Sequence, residues 1–333
     1  MRSRRLALLA MLALVALPAA PAAAQSPAPS HRIGYLTVSA QPAREEIFRQ
    51  ELRRLGYTEG QNLTIEYRAA EGRFERLPAL AAELVGLKVD VLVTVVTQAS
   101  LAAKKATGTI PIVMVGVGDP VGTGLVASLA RPGGNVTGNS TTAAEVVGKQ
   151  LELVRELRPK ASRVGVLWNP ANAVFQKQAL GEAKAAAAKL KLRLQIAEAR
   201  GPAEFDRAFA TIAGQRVDAV LVIGDPVFNA HASELAELAV KHRLPAVSSA
   251  REYVERGFLM TYGPSFADAH RLSAAYVDRI LKGARPADLP VEQITKFELF
   301  INARTARVIG VSVPQALVAR ADHVIPGAGA PRP

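Results

Sequence analysis

Two polar positions, Thr97 and Asp225, follow short β-branched runs that repeat along the chain. Val89-Asp90 opens the first run and Val217-Asp218 opens the second, an offset of 128 residues between Val89 and Val217. Thr97 begins a stretch, 97–100, whose hydroxyls and unpaired backbone N–H groups at a helix start suit a carboxylate. Asp225 suits an ammonium group. A ligand that carries both groups favours closure of two lobes, because only the closed state satisfies both.

Simpler structural roles for these residues remain alternatives. Thr97 and Ser100 are also good N-capping residues, and Asp225 could cap the helix that follows it. Trp168, the only tryptophan, ends a further strand pattern. Trp168 or Phe175 could cover the apolar part of a ligand, and the alternative for Trp168 is packing in a core.

Catalytic chemistry has little support in the sequence. The five histidines are far apart and lack metal-ligand spacing, the chain has no cysteine, and no Gly-x-Ser-x-Gly motif is present. The glycine-rich loop at 116–125 departs from a dinucleotide fingerprint, because Pro120 interrupts it and it follows a fourth strand. Asp119 in this loop is either a loop cap or a cleft residue. We predict no catalytic residue, no metal site and no cofactor.

The first 24 residues are typical of a secretory signal peptide. Three arginines precede an apolar run of 12 residues at 6–17, and Ala22-Ala23-Ala24 fits the cleavage rule. Because about 20 residues are needed to cross a bilayer, we predict cleavage after Ala24 and a periplasmic protein that begins with a tether at 25–30. Lys and Arg outnumber Asp and Glu by 41 to 29, but they are scattered and aromatic residues are only 5%, which disfavours a nucleic-acid partner.

Alternating strand and helix patterns predict two similar lobes of the α/β class. The predicted strands lie at 32–38, 62–68, 90–96 and 111–117 in lobe 1, and at 163–168, 192–197, 218–224, 245–248 and finally 257–262 in lobe 2. Helical patterns, including one at 228–242, separate the strands. Each sheet is therefore expected to be parallel and doubly wound, with a hinge and an interlobe cleft. The predicted boundaries are 31–138 with 263–290 for lobe 1, 139–262 with 291–326 for lobe 2, and a flexible tail at 327–333.

Ligands of open α/β sheets bind beyond the carboxyl ends of the strands, where the strand order reverses. Residues just past the predicted strands are therefore candidates for the cleft, and Thr97 and Asp225 occupy equivalent positions in the two lobes. The candidate ligand-binding residues are Ser39, Thr97, Gln98, Ser100, Asp119, Trp168, Asn169, Asn172, Asp225 and Ser249.

Four motifs are long enough to compare with known families. They are Asp119-Pro120-Val121, the run from Leu129 through Arg131-Pro132-Gly133-Gly134-Asn135 to Gly138, Tyr262-Gly263-Pro264, and Ile301-Asn302-Ala303-Arg304-Thr305-Ala306. These motifs resemble those of the TrpX-like ABC transporter substrate-binding proteins, and the resemblance covers about 31–326.

The resemblance implies a type I periplasmic binding protein, with two lobes joined by three crossing strands. It implies capture of a small solute and its delivery to the permease and ATPase subunits of an ABC importer. We expect a monomer that hinges near Asn139, Tyr262 and Leu289. A secreted α/β enzyme acting on a small carboxylate and a sensory ligand-binding domain remain alternative functions.

The resemblance also implies a ligand class, because family members with known ligands take aromatic amino acids. This chain departs from those members at Asn169-Pro170-Ala171-Asn172-Ala173, where they carry an acidic residue and Asn-Ser, and at Pro226-Val227, where they carry Asn-Thr. The expected ligand is therefore an aromatic amino acid or a related aromatic or aliphatic acid.

Overall fold

The computed structural model describes residues 30–141 and 144–327. The predicted signal peptide at 1–24, most of the tether at 25–30 and nearly all of the tail at 327–333 lie outside these residues. None of the helices in the described ranges is long and apolar enough to cross a membrane.

Lobe 1 is a parallel sheet with helices on both faces. Its central strands are buried on both sides because nearly every side chain in them is apolar. The strand order is β5–β4–β3–β1–β2. The elements are β1 (His31–Thr37), α1 (Pro42–Arg54), β2 (Leu63–Ala69), α2 (Leu77–Gly86), β3 (Val91–Val95), α3 (Val96–Ala106), β4 (Ile112–Val117) and β5 (Val136–Ser140).

Lobe 2 repeats this arrangement with the strand order β10–β9–β8–β6–β7. The order reverses between β1 and β3 in lobe 1 and between β6 and β8 in lobe 2, which confirms two doubly wound sheets. The elements are α4 (Val146–Leu157), β6 (Arg163–Trp168), α5 (Ala173–Leu190), β7 (Arg193–Glu198), α6 (Pro202–Gly214), β8 (Ala219–Val222), α7 (Pro226–Ala230), α8 (Ala232–Lys241), β9 (Ala246–Ser248), α9 (Arg251–Glu255) and β10 (Met260–Pro264).

The repeated Val-Asp pair has the same structural role in both lobes. The Asp90 carboxylate accepts a hydrogen bond from the backbone N–H of Arg32 at 2.8 Å, and the Asp218 carboxylate accepts one from Arg163 at 3.0 Å. Each aspartate therefore fixes the start of the neighbouring central strand. The repeated Val-Asp pair therefore reflects the anchoring of strands and not the binding of a ligand.

The last part of the chain departs from the predicted pattern. Strand β10 is not the final strand, and β12 pairs with it in antiparallel fashion, so sheet 2 is not entirely parallel. The predicted helix at 228–242 is two helices, α7 and α8, which meet at His231. The further elements are α10 (Phe266–Leu281), β11 (Glu292–Gln293), β12 (Phe297–Asn302), α11 (Ala303–Val308), α12 (Gln315–Arg320) and β13 (His323–Ile325).

The described chain passes between the sheets three times, after β5, after β10 and after β11. Helix α10 packs on α1 and β4, so the second crossing returns the chain to lobe 1. Strand β11 then pairs with β5, and β12 continues into lobe 2. If each strand is assigned to a lobe by its sheet, β5, which ends at Ser140, and β11 belong to lobe 1. Strand β10, which ends at Pro264, belongs to lobe 2.

Candidate ligand-binding site

A cavity of about 70 Å³ lies between the lobes, where the carboxyl ends of both sheets face each other. One water molecule needs about 10–15 Å³ by this measure, so several waters or a small solute fit. Five of the candidate residues line it, and they come from both lobes: Thr97, Gln98, Asn172, Asp225 and Ser249. The starts of α3, α5 and α7 form much of its wall.

Asp225 is the centre of a hydrogen-bond network in lobe 2. Its Oδ1 accepts bonds from Asn169 Nδ2 at 3.1 Å and from the backbone N–H of Val227 at 2.9 Å. Its Oδ2 accepts a bond from Asn172 Nδ2 at 2.8 Å and a longer one from Gln176 Nε2 at 3.5 Å. Burial raises the pKa of Asp225, and these donors oppose the shift. Asp225 is therefore both the cap of α7 and the acceptor that orders three amide side chains.

This network reaches across the cleft. Gln98 of lobe 1 donates a hydrogen bond through Nε2 to Oδ1 of Asn172, whose Nδ2 is bound to Asp225. Through Gln98, Asn172 and Asp225, hydrogen bonds thus connect the first turn of α3 to the start of α7. Thr97 and Asp225, which the sequence predicts to be equivalent positions, line this one cavity from opposite lobes.

The start of α3 has an unusual backbone. Val96 has φ of +66°, a left-handed value that is costly for a β-branched side chain. No side chain caps α3, because its N-cap residue is the apolar Val95. Ser100 Oγ bonds to Thr94 Oγ1 at 2.8 Å and to the Val96 carbonyl at 3.0 Å. Val96, Thr97 and Gln98 line the cavity, so an uncapped helix N-terminus faces it.

The other five candidate residues do not line the cavity. Ser100 is bonded within lobe 1, and Asp119 Oδ1 accepts a hydrogen bond from the backbone N–H of Gly122 at 2.7 Å, so Asp119 is a loop cap. Ser39 lies at a neighbouring groove between the lobes. Asn169 is fully buried and acts on the site through Asp225. Trp168 packs in the apolar core of lobe 2, in agreement with the core alternative.

Aromatic and polar residues outside the candidate set complete the wall. Arg44, Phe175, Tyr253 and Phe266 line the cavity. Arg44, Tyr253 and Phe266 lie in the first turns of α1, α9 and α10, each of which directly follows a strand. Extending the search from the strand end to the first turn of the next helix would therefore have found them from the sequence.

Four polar side chains at the cavity carry buried atoms without a hydrogen-bond partner in the described ranges. These atoms are Gln41 Oε1, Thr141 Oγ1, Asn229 Oδ1 and Tyr253 Oη. Buried polar atoms are normally paired, so these groups are suited to contacts with a bound solute.

Comparison with known proteins identifies the family. The model of the ABC transporter substrate binding protein family matches residues 38–325. The chain belongs to this family. A Tyrosine-binding protein of Clostridioides difficile (strain R20291) is 29% identical over 256 residues, which are 76% of this chain and 72% of that protein. The family match confirms the resemblance noted in the sequence. The relatives of this chain in the family are substrate-binding proteins rather than enzymes.

Solved structures agree with this assignment. A conserved domain protein from Vibrio cholerae is 32% identical, with a TM-score of 0.80 over 89% of this chain and 99% of that one. An ABC domain from Streptococcus pneumonia in complex with L-Trp is 27% identical, with a TM-score of 0.80 over 89% of this chain and 100% of that one. Periplasmic binding proteins of 15% identity or less also share the fold, which confirms the type I architecture.

The substrate-binding protein holds a neutral histidine close to the cavity. His270 in α10 is 1% exposed, and its Nδ1 lies 2.7 Å from the Phe266 carbonyl. Burial lowers the pKa of His270 from 6.5 to about 4, and the positive charge of Arg44 acts in the same direction. Glu252 partly opposes the shift. His270 therefore stays uncharged in the folded protein at pH values where it is protonated in the unfolded chain.

We expect the stability of the protein to fall between pH 6.5 and pH 4 because of His270. The unfolded chain gains a proton there that the folded protein does not bind, which costs about 3 kcal/mol over this range. Denaturant unfolding at a series of pH values should show a shallower pH dependence in His270→Asn. The exposed His323→Gln variant is the control and should follow the wild type. Equal slopes for His270→Asn and the wild type would contradict the assignment.

Proposed function

We propose that this protein is the solute-binding component of an ABC import system. It captures a small carboxylate-bearing solute, an aromatic amino acid or a related aromatic or aliphatic acid, by closure of the two lobes. The observation that carries this proposal is the cavity whose walls come from both lobes, with an uncapped helix N-terminus on one side and Asp225 on the other.

The carboxylate of the solute binds at the start of α3. Backbone N–H groups in the first turn of a helix lack intrahelical partners, and the helix dipole favours an anion there. The Thr97 hydroxyl adds a donor at the same place. The strained Val96 supports this role, because left-handed β-branched residues cluster at functional sites.

The amino group of the solute binds on the lobe 2 side. Asp225 supplies the negative charge, although its four donors already occupy most of its acceptor capacity. Asn229 Oδ1, one turn further along α7, is a buried acceptor that can bond the ammonium group directly. Phe175 and Phe266 cover the apolar part, a combination that fits an aromatic side chain.

Membership of the family supports the proposed partners and location. The protein works as a monomer in the periplasm after removal of the signal peptide at Ala24, and it delivers its solute to a membrane permease and ATPase. The relatives named above as a Tyrosine-binding protein and as a complex with L-Trp support aromatic amino acids as the first ligands to test.

Calorimetric titration of the mature chain tests the proposal. The protein is unfolded in guanidinium and refolded to remove any copurified solute, then titrated with L-tyrosine, L-tryptophan and tyramine, which lacks the carboxylate. We expect saturable one-to-one binding of an aromatic amino acid and binding of tyramine weaker by about 10- to 100-fold, because charge-assisted hydrogen bonds are lost. No binding of L-tyrosine or L-tryptophan would contradict an aromatic amino acid as the ligand, and equal binding of tyramine would contradict the carboxylate site.

Two buried hydroxyls of α3 provide a matched pair of variants. Thr97 lines the cavity, whereas Ser100 lies on the same helix and is bonded within lobe 1. Thr97→Val should weaken binding of the amino acid about tenfold and leave the binding of tyramine unchanged. Ser100→Ala should leave both affinities unchanged.

A further inference from the structure

An ion pair joins the two lobes beside the cavity. Arg44 belongs to α1 of lobe 1 and Glu252 to α9 of lobe 2. Arg44 Nε lies 2.6 Å from Glu252 Oε1, and Arg44 Nη2 lies 2.8 Å from Glu252 Oε2, which is a bidentate arrangement. Within the described ranges, Glu252 is the only acidic residue at ion-pair distance from Arg44.

The pair is held away from water on the lobe 1 side. The Arg44 side chain is 6% exposed and that of Glu252 is 26% exposed. The guanidinium carbon of Arg44 lies 4.2 Å from the centre of the Phe266 ring, so the ring covers one face of the cation. Arg44 is therefore held on two sides, by the ring of Phe266 at the start of α10 and by the carboxylate of Glu252 in the opposite lobe.

Arg44 separates two cavities. It lines the ligand cavity together with Phe266, and it also lines an adjacent cavity of about 380 Å³ on the side of α9 and β12. Glu252 lines only the second one. The ion pair thus lies behind the ligand site. It fixes the position of Arg44 in the cavity wall, although Glu252 does not line that cavity.

The electrostatics favour the pair strongly. Burial alone would raise the pKa of Glu252, but the charge and hydrogen bonds of Arg44 lower it to about 2. The neighbouring charged groups already have other partners: Arg251 pairs with Glu255, Arg271 pairs with Asp268, and Lys296 pairs with Glu298 and Asp268. His270 is neutral. Separation of the lobes therefore breaks the Arg44–Glu252 bond and provides no substitute partner within this group.

We propose that Arg44 and Glu252 form an interlobe latch that sets the balance between open and closed states, and that Arg44 is thereby a positioning residue for the cavity wall. The proposal rests on the proposed function, since it assumes that closure creates the binding-competent state. A ligand that binds only the closed state loses apparent affinity in proportion to the closed population. Weakening the latch therefore weakens binding although neither residue needs to touch the solute.

The absence of cysteine allows a direct measurement of closure. Arg73 and Arg200 lie on opposite lobes, line the same groove, and have side chains that are 59% and 58% exposed. Spin labels on Arg73→Cys and Arg200→Cys report the interlobe distance without ligand. Addition of Glu252→Gln should shift the distances to longer values. An unchanged distribution would overturn the proposal, whether or not any solute binds.

A matched ion pair on the same helix is the control. Arg251 and Glu255 are 2.6 Å apart in α9 and do not connect the lobes, so Glu255→Gln should leave the distances unchanged. The affinity for L-tyrosine or L-tryptophan should fall about tenfold in Glu252→Gln and stay constant in Glu255→Gln. The charge-swapped double variant Arg44→Glu with Glu252→Arg should recover the short distances. If it stays open while circular dichroism shows a folded protein, the ion pair is not the latch.

Failure of the latch and failure of the proposed function are distinguishable. If the wild type binds no aromatic amino acid but Glu252→Gln still lengthens the ligand-free distances, the latch stands and the ligand class is wrong. If binding is tight in all variants and the distances do not change, the ligand class stands and the latch is wrong.

Discussion

Replacement of Asp225 by alanine is expected to lower the free energy of unfolding by about 4 kcal/mol. Four donors converge on this carboxylate, and the two asparagines among them, Asn169 and Asn172, are almost fully buried. Alanine leaves these donors without an acceptor and removes the cap of α7. Guanidinium unfolding followed by circular dichroism, and by the fluorescence of Trp168 in the lobe 2 core, measures the loss.

Asp225→Asn separates the cap from the network. Asparagine is as good an N-cap as aspartate, so a pure cap would tolerate it. In the network it provides only one acceptor oxygen, and its NH2 group faces the donors of Asn169 or Asn172, so we expect a loss of about 2 kcal/mol. The loop cap Asp119, which accepts a single bond from Gly122, is the control, and Asp119→Ala should cost less than about 1 kcal/mol. Wild-type stability of Asp225→Asn would leave only the capping role.

The same variant tests the contact with an amino group. Asp225→Asn should bind an aromatic amino acid at least about tenfold more weakly, while an analogue with a hydroxyl in place of the amino group should lose much less. Equal losses for both ligands would mean that Asp225 acts only by ordering Asn172 and the start of α5.

Much of the fold could be predicted because two of its signals lie within short segments: the β-branched strand and the aspartate that precedes it. The β-branched runs of β3 and β8 and the aspartates before them recur in sequence, since each aspartate anchors the neighbouring central strand. The end of the chain has no such signal. Strand β11 has two residues and β13 has three, and their pairing depends on segments that are distant in sequence, β5 and β12.

The candidate site was predictable to the extent that strand ends define it. Thr97 and Asp225 lie where the strand order reverses, and both line the cavity. Ser100 and Trp168 follow the same rule but take part in hydrogen bonds or core packing within one lobe. Arg44 lies in the first turn of α1, so a search extended beyond the strand ends would include it. Its contact with Glu252 of the other lobe has no signature in either segment alone.

Gly138→Ala is expected to lower the free energy of unfolding by about 4 kcal/mol. Gly138 lies in β5, where the register with β4 shifts, and has φ of +125°, outside the range that alanine adopts. A Cβ atom at this position would lie 2.2 Å from the Met114 carbonyl oxygen and 2.7 Å from its nitrogen. Both atoms belong to the backbone of a central strand, so neither can move aside without disturbing the sheet.

The damage from Gly138→Ala should extend to the ligand site. The next residue, Asn139, accepts a hydrogen bond from the backbone N–H of Gly116, which lines the cavity, and donates one to the Ala269 carbonyl in α10. We therefore expect weaker solute binding as well as a lower unfolding midpoint. At Gly134, in the same motif, a Cβ atom would have no neighbour within 4 Å and φ is not positive, so Gly134→Ala should change stability by less than about 0.5 kcal/mol. Similar midpoints for the two variants would show that the irregular pairing between β4 and β5 adapts to a side chain at position 138.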